Sequence, residues 1–208
     1  MRTVFLFALL ISAAHAQQNL IPNGDFAGPD PLKGWRIDFP YQSRYEKNVT
    51  YIKATTQAGR KCVELNLPAG VAGNEGGKIE TALIPAVPGA TYRAEIDTLT
   101  WDFGAKLHAE AYTTDPRPSG RQDTSLFVIP GTNGAPCKVM CYRSQFPDPP
   151  GQSKKWTTVT REFTLPATVK VAGKDCPPQW VILKAYIYAG TGEAGKSYVT
   201  NFRLYKIK

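Results

Sequence analysis

The stretch Thr91-Tyr92-Arg93-Ala94-Glu95-Ile96-Asp97-Thr98-Leu99-Thr100 decides the fold class. Tyr92, Ala94 and Ile96 alternate with Arg93, Glu95 and Asp97, the period of two expected of a β-strand with one face in a core. The same pattern returns at 106–113, where Leu107, Ala109 and Ala111 oppose Lys106, His108, Glu110 and Tyr112. It returns again at 180–189, where Val181, Leu183, Ala185 and Ile187 oppose Ile182, Lys184, Tyr186 and Tyr188. If these three strands share a sheet, its outer surface collects carboxylates, basic groups and aromatic rings.

Further short runs at 49–54, 62–67, 77–83, 157–165 and 198–207 also read as strands. They are separated by turn punctuation such as Pro68-Ala69-Gly70, Pro88-Gly89 and Pro177-Pro178. No segment beyond the amino terminus holds a helical period for three turns, so the chain reads as all-β, two packed antiparallel sheets forming one domain over 17–208. Residues 114–155 break the pattern. They hold Pro, Gly and two close cysteines, and they read as one long insertion, a lid or rim.

Arg2, the apolar run 4–11 and the small-x-small triplet Ala14-His15-Ala16 have the form of a secretory signal peptide over 1–16. The expected location is therefore extracellular or periplasmic. The apolar run is well short of the ~20 residues that span a bilayer. Loss of the leader leaves 24 basic against 17 acidic residues, a formal charge of +7. These charges are scattered, with no Arg-rich arm or phosphate loop, which argues against nucleic acid and is compatible with an acidic polysaccharide. A monomer is the expectation.

Four cysteines in an exported chain point to two disulfides. Three pairings are open; the preferred set is Cys137–Cys141, closing within a Pro/Gly-rich loop, with Cys62–Cys176. Zinc is disfavoured, because His108 is the only histidine beyond the leader and is remote from the cysteines.

The opening Asn19-Leu20-Ile21-Pro22-Asn23-Gly24-Asp25-Phe26, followed by Gly34-Trp35, resembles the amino-terminal signature of jelly-roll carbohydrate-binding modules associated with xylanases and glucanases, within the galactose-binding-like superfamily. Segments 84–92, 156–166 and 198–205 resemble further family motifs in the same order, so the likeness covers nearly the whole chain. It implies a jelly-roll β-sandwich that binds glycans without catalysis, with Trp35 and Trp156 in structural roles. It also implies a structural calcium held by one acidic residue after the Asn-Gly-x-Phe turn and an Asp in the closing strand. Here those positions are Ala27 and Thr200, which leaves Asp25, Asp30 and backbone carbonyls as oxygen ligands.

Sugar rings offer apolar faces and hydroxyls, so their sites combine aromatic platforms with polar side chains. Tyr112, Tyr186 and Tyr188 are the expected platforms, with Arg93, Glu95, Asp97, His108, Glu110 and Lys184 as polar partners and Trp101 closing one end. One alternative is a glycoside hydrolase or polysaccharide lyase using Glu95, Asp97, Glu110 and His108, since paired carboxylates cleave glycosidic bonds. The other is an extracellular protein-interaction module.

Overall fold

In the computed structural model, which describes residues 18–38, 49–73, 76–101, 105–114, 140–146, 154–171, 173–188 and 193–208, the period-two segments form two antiparallel sheets. The first sheet contains β1 (Arg36–Asp38), β4 (Gly77–Glu80), β12 (Trp180–Ile187), β7 (Lys106–Tyr112) and β8 (Met140–Gln145) in that spatial order, with β5 (Ile84–Pro85) paired to the start of β12. The second runs β2 (Ile52–Gln57), β3 (Arg60–Leu67), β13 (Gly195–Lys206), β6 (Thr91–Thr100) and β9 (Thr157–Thr164). A small hairpin of β10 (Val169–Val171) and β11 (Lys174–Cys176) precedes β12.

The apolar parities meet between the sheets. Tyr92, Ala94 and Ile96 of β6, Val63 and Leu65 of β3 and Leu204 of β13 share one buried core with Leu107, Ala109 and Ala111 of β7 and Val181, Leu183 and Ala185 of β12. Burying these faces against each other removes apolar surface from water, the dominant favourable term in folding.

The expectation that the three alternating strands share one sheet is corrected. β7 pairs with β12, but β6 lies between β13 and β9 in the opposite sheet. β6 and β7, consecutive in the chain, therefore belong to different sheets and do not pair as a hairpin. Side-chain parity is the same in either case, so alternation alone does not distinguish them.

The 114–155 segment also differs from a plain insertion, because β8 lies within it and pairs with β7. Residues 1–16, expected to form a leader, lie outside the described residues. No helix among the described residues is long and apolar enough to cross a membrane.

The opening motif closes the sandwich. Asn19 Oδ1 accepts from the amides of Ile21 (3.1 Å) and Leu204 (2.9 Å), and the Leu20 amide donates to the Leu204 carbonyl. The Phe202 amide donates to the Gly24 carbonyl at 3.0 Å. A Cβ on Gly24 would stand 2.2 Å from the Phe202 carbonyl oxygen, so only glycine permits this approach. Trp35 packs between Phe26 and Phe202, with ring centroids 4.7 and 4.8 Å away, and donates from Nε1 to the Asn23 carbonyl.

A satellite cluster of Cys62, Leu99 and Tyr198, with Trp156 against it, forms on the outer side of the second sheet. Cys62 is therefore a buried free thiol, pushed up to about 11 chiefly by burial, and Cys176 in the β10–β11 hairpin is also free. The expected Cys62–Cys176 bridge is not formed, because Cys62 is sequestered in this cluster. Cys137 and the side chain of Cys141 lie outside the described residues.

Candidate functional site on the outer face of the first sheet

Register builds the site. Arg36 on β1 lies opposite Glu80 on β4, Glu80 opposite Lys184 on β12, Lys184 opposite His108 on β7, and His108 opposite Gln145 on β8. Five polar residues thus form one row across five strands, about 19 Å long at the usual strand spacing. Ile182, Glu110 and Arg143 make the adjoining row on one side; Lys78, Tyr186 and Lys106 make the row on the other.

This face is outward with respect to the sandwich, yet its central side chains are buried: His108 is 2% exposed, Glu110 1% and Lys184 5%. Opposite charges make that burial tolerable. Glu110 accepts from Lys184 Nζ at 2.5 Å, Tyr112 Oη at 2.5 Å and Arg143 Nε at 3.3 Å. Burial opposes its charge, but Lys184 and the two hydrogen bonds outweigh it and hold the carboxyl below its usual range. The Tyr112 phenol is pushed up by burial and by Glu110. Glu80 pairs with Lys78 at 3.1 Å and with Arg36 at 4.0 Å.

His108 differs from its neighbours. Among the described residues, neither ring nitrogen has a hydrogen-bond partner. Burial, then the Arg143 and Lys184 cations, bring its pKa down to about 4 against the weaker pull of Glu110, so the imidazole is uncharged near neutral pH.

Beyond Lys184 along β12, Tyr186 and Tyr188 stack with ring centroids 6.1 Å apart and planes 1° from parallel, and Tyr188 is 39% exposed. Gly76 makes room for this pair. Its φ is +66°, and a Cβ there would come within 2.8 Å of the Tyr186 ring.

The expected site residues divide between two surfaces. His108, Glu110, Tyr112, Lys184, Tyr186 and Tyr188 share the first sheet's face, while Arg93, Glu95 and Asp97 occupy the outer side of the second. There Asp97 is engaged by Arg60 (3.1 Å), Arg203 (3.2 Å), Thr158 (2.7 Å) and Asn201 (2.8 Å). Glu95 pairs with Arg93 and Arg203 at 3.2 and 3.1 Å. Trp101 is exposed at the end of β6, where its amide donates to the Lys196 carbonyl and Lys154 lies over its ring. The set Glu95, Asp97, Glu110 and His108 therefore does not assemble into one constellation. Arg36, Lys78, Glu80, Arg143 and Gln145 belong to the face and were not expected there; for Lys78 and Glu80 the signal was their alternation around Ile79.

At the expected calcium position the oxygens are engaged by protein groups. Thr200 Oγ1 lies 2.7 Å from the Lys61 carbonyl and 3.5 Å from the Asp25 carbonyl. Asp25 Oδ1 accepts from the Ala27 amide, and the Asp30 carbonyl accepts from Asn23 Nδ2 and the Lys33 amide. Among the described residues no three His, Cys, Asp or Glu side chains gather into a metal-holding group.

No family model and no curated protein matches the chain. Solved structures do. The enzymatically active domain of tailspike protein 4 from bacteriophage CBA120 superposes at TM-score 0.54 and 10% identity, over 91% of this chain and 21% of that one. The arabinose-bound MgGH51 α-L-arabinofuranosidase does so at TM-score 0.50 and 15% identity, over 90% of this chain and 26% of that one. The chain thus spans a quarter or so of each of these longer proteins. The N-terminal cellulose-binding domain of Cellulomonas fimi β-1,4-glucanase C aligns over 92% of this chain and 99% of its own, at TM-score 0.48 and 15% identity. By fold, the chain is a jelly-roll β-sandwich of two antiparallel sheets.

Proposed function

We propose that the outer face of the first sheet binds carbohydrate without cleaving it, that the ligand is an acidic polysaccharide, and that the protein acts outside the cytoplasm. The observation that carries this reading is the junction, on β12, of a polar row with the parallel Tyr186/Tyr188 pair. Flat rings present a stacking surface to the C–H face of a pyranose, and the adjacent polar groups supply hydrogen bonds to its substituents. The described side chains of the face include Arg36, Lys78, Lys106, Arg143 and Lys184 against Glu80 and Glu110, an excess of cations that favours carboxylated sugars. The arabinose-bound enzyme is a carbohydrate-recognising protein by its name, in keeping with this reading. Export rests on the leader-like residues 1–16.

Affinity electrophoresis through gels containing polygalacturonate, glucuronoxylan or laminarin tests the proposal. The protein should be retarded most by an acidic polymer. Tyr188→Ala should weaken binding by about 1–3 kcal/mol through loss of one stacking ring. Equal mobility in all gels, or a Tyr186→Ala/Tyr188→Ala double variant retarded like the parent, would overturn it.

A further inference from the structure

We propose that His108 is a hydroxyl-reading residue of this face, donating from one ring nitrogen to the bound sugar and accepting a hydroxyl hydrogen at the other. The inference rests on the glycan-binding reading above and names the group by which the site recognises its ligand.

The first ground is geometric. His108 sits in the polar row between Lys184 and Gln145, buried, with both ring nitrogens unpartnered among the described residues. Its neighbours are committed: Lys184, Tyr112 and Arg143 all converge on Glu110, while Lys78 and Arg36 pair with Glu80. A buried polar group without a partner destabilises the fold, and such groups mark sites completed by something else.

The second ground is chemical. Burial keeps the ring uncharged, and the facing titratable groups, Arg143 on β8, Lys184 on β12 and Glu110 and Lys106 on β7, are mostly cations that reinforce it. An uncharged imidazole has one N–H donor and one acceptor lone pair. A carboxylate satisfies only the donor, whereas sugar hydroxyls both accept and donate and can satisfy the two nitrogens together. The ligand class is therefore a polyhydroxyl sugar whose acidic substituent goes to the cations and whose hydroxyls go to His108. On β8, Gln145, which lies opposite His108, is exposed, and the Arg143 side chain is 40% exposed.

The test uses His108→Leu and His108→Gln, with polygalacturonate and glucuronoxylan as probes. His108→Leu should bind the retarding polymer at least tenfold more weakly while melting no lower than the parent. His108→Gln, which keeps one donor and one acceptor group, should recover most of the loss. In the parent protein the imidazole nitrogen resonances of His108, identified by their absence from His108→Leu, should shift on adding oligogalacturonate. Parent-like binding by His108→Leu together with tyrosine variants that lose binding would overturn the role of His108 and leave the glycan reading standing. Should His108→Leu fail to fold, unmoved imidazole resonances in the liganded parent overturn the role by themselves. A parent protein that binds none of the polymers removes both.

Discussion

Replacing Glu110 with Gln should cost the protein far more than a surface carboxylate would. Glu110 is the only described carboxylate in contact with Lys184 Nζ, and it also takes hydrogen bonds from Tyr112 and Arg143. The two cations are not equally vulnerable. Arg143 has a side chain 40% exposed and can rehydrate, whereas the Lys184 side chain is 6% exposed and would be left as a buried charge facing a neutral amide. Breaking such a pair from one side costs about 3–5 kcal/mol. For a domain of this size, where 1 kcal/mol moves Tm by about 2–4 °C, the expected fall is roughly 10 °C. Circular-dichroism melts and urea titrations of Glu110→Gln measure it. The double variant Glu110→Leu/Lys184→Met should regain most of the loss, because it removes both charges together. A Glu110→Gln protein that melts within about 2 °C of the parent, a change of under ~1 kcal/mol, would show the pair to be hydrated and the face open.

Two other outcomes follow from the same physics. His108 titrates near 4 when folded and near 6.5 when unfolded, so between these values the unfolded chain binds more protons and stability falls as pH is lowered. The loss approaches about 3 kcal/mol below the folded value; a stability–pH profile should show it in the parent and lack most of it in His108→Leu. Excess chelator should leave Tm unchanged, since Asp25 Oδ1 already accepts from the Ala27 amide and Thr200 Oγ1 donates to the Lys61 carbonyl; a chelator-induced fall that added calcium reverses would refute this expectation.

Strand identity was legible where period two was clean. Thr91–Thr100 forms a strand with the bounds that its alternation indicates, and the apolar sets of β7 and β12 face the core as their parity requires. Partnership was not legible. Whether β6 and β7 pair as a hairpin or belong to different sheets depends on long-range pairing, and that choice decides which surface receives Glu95 and Asp97. β8 was hidden because Met140-Cys141-Tyr142-Arg143-Ser144-Gln145 lacks a plain apolar alternation and lies among Pro- and Gly-rich flanks. The burial of His108 and Glu110 was equally out of reach. Charged residues ordinarily imply solvent, and it is the cross-strand register that brings Lys184 within reach of Glu110 and makes the opposite outcome possible.

The seat of β13, the last strand in chain order, has a consequence for assembly. It lies in the middle of its sheet, between β3 and β6, and its Leu204 amide donates to Asn19 Oδ1, 185 residues away in sequence. During synthesis, β3 and β6 each wait with an unpaired edge until this final strand arrives, so the sheet cannot nucleate from the amino terminus and grow outward. Such nonlocal closure slows folding and exposes adhesive edges meanwhile. Holding the nascent chain unfolded until β13 has been made is therefore the safer route to the native sandwich.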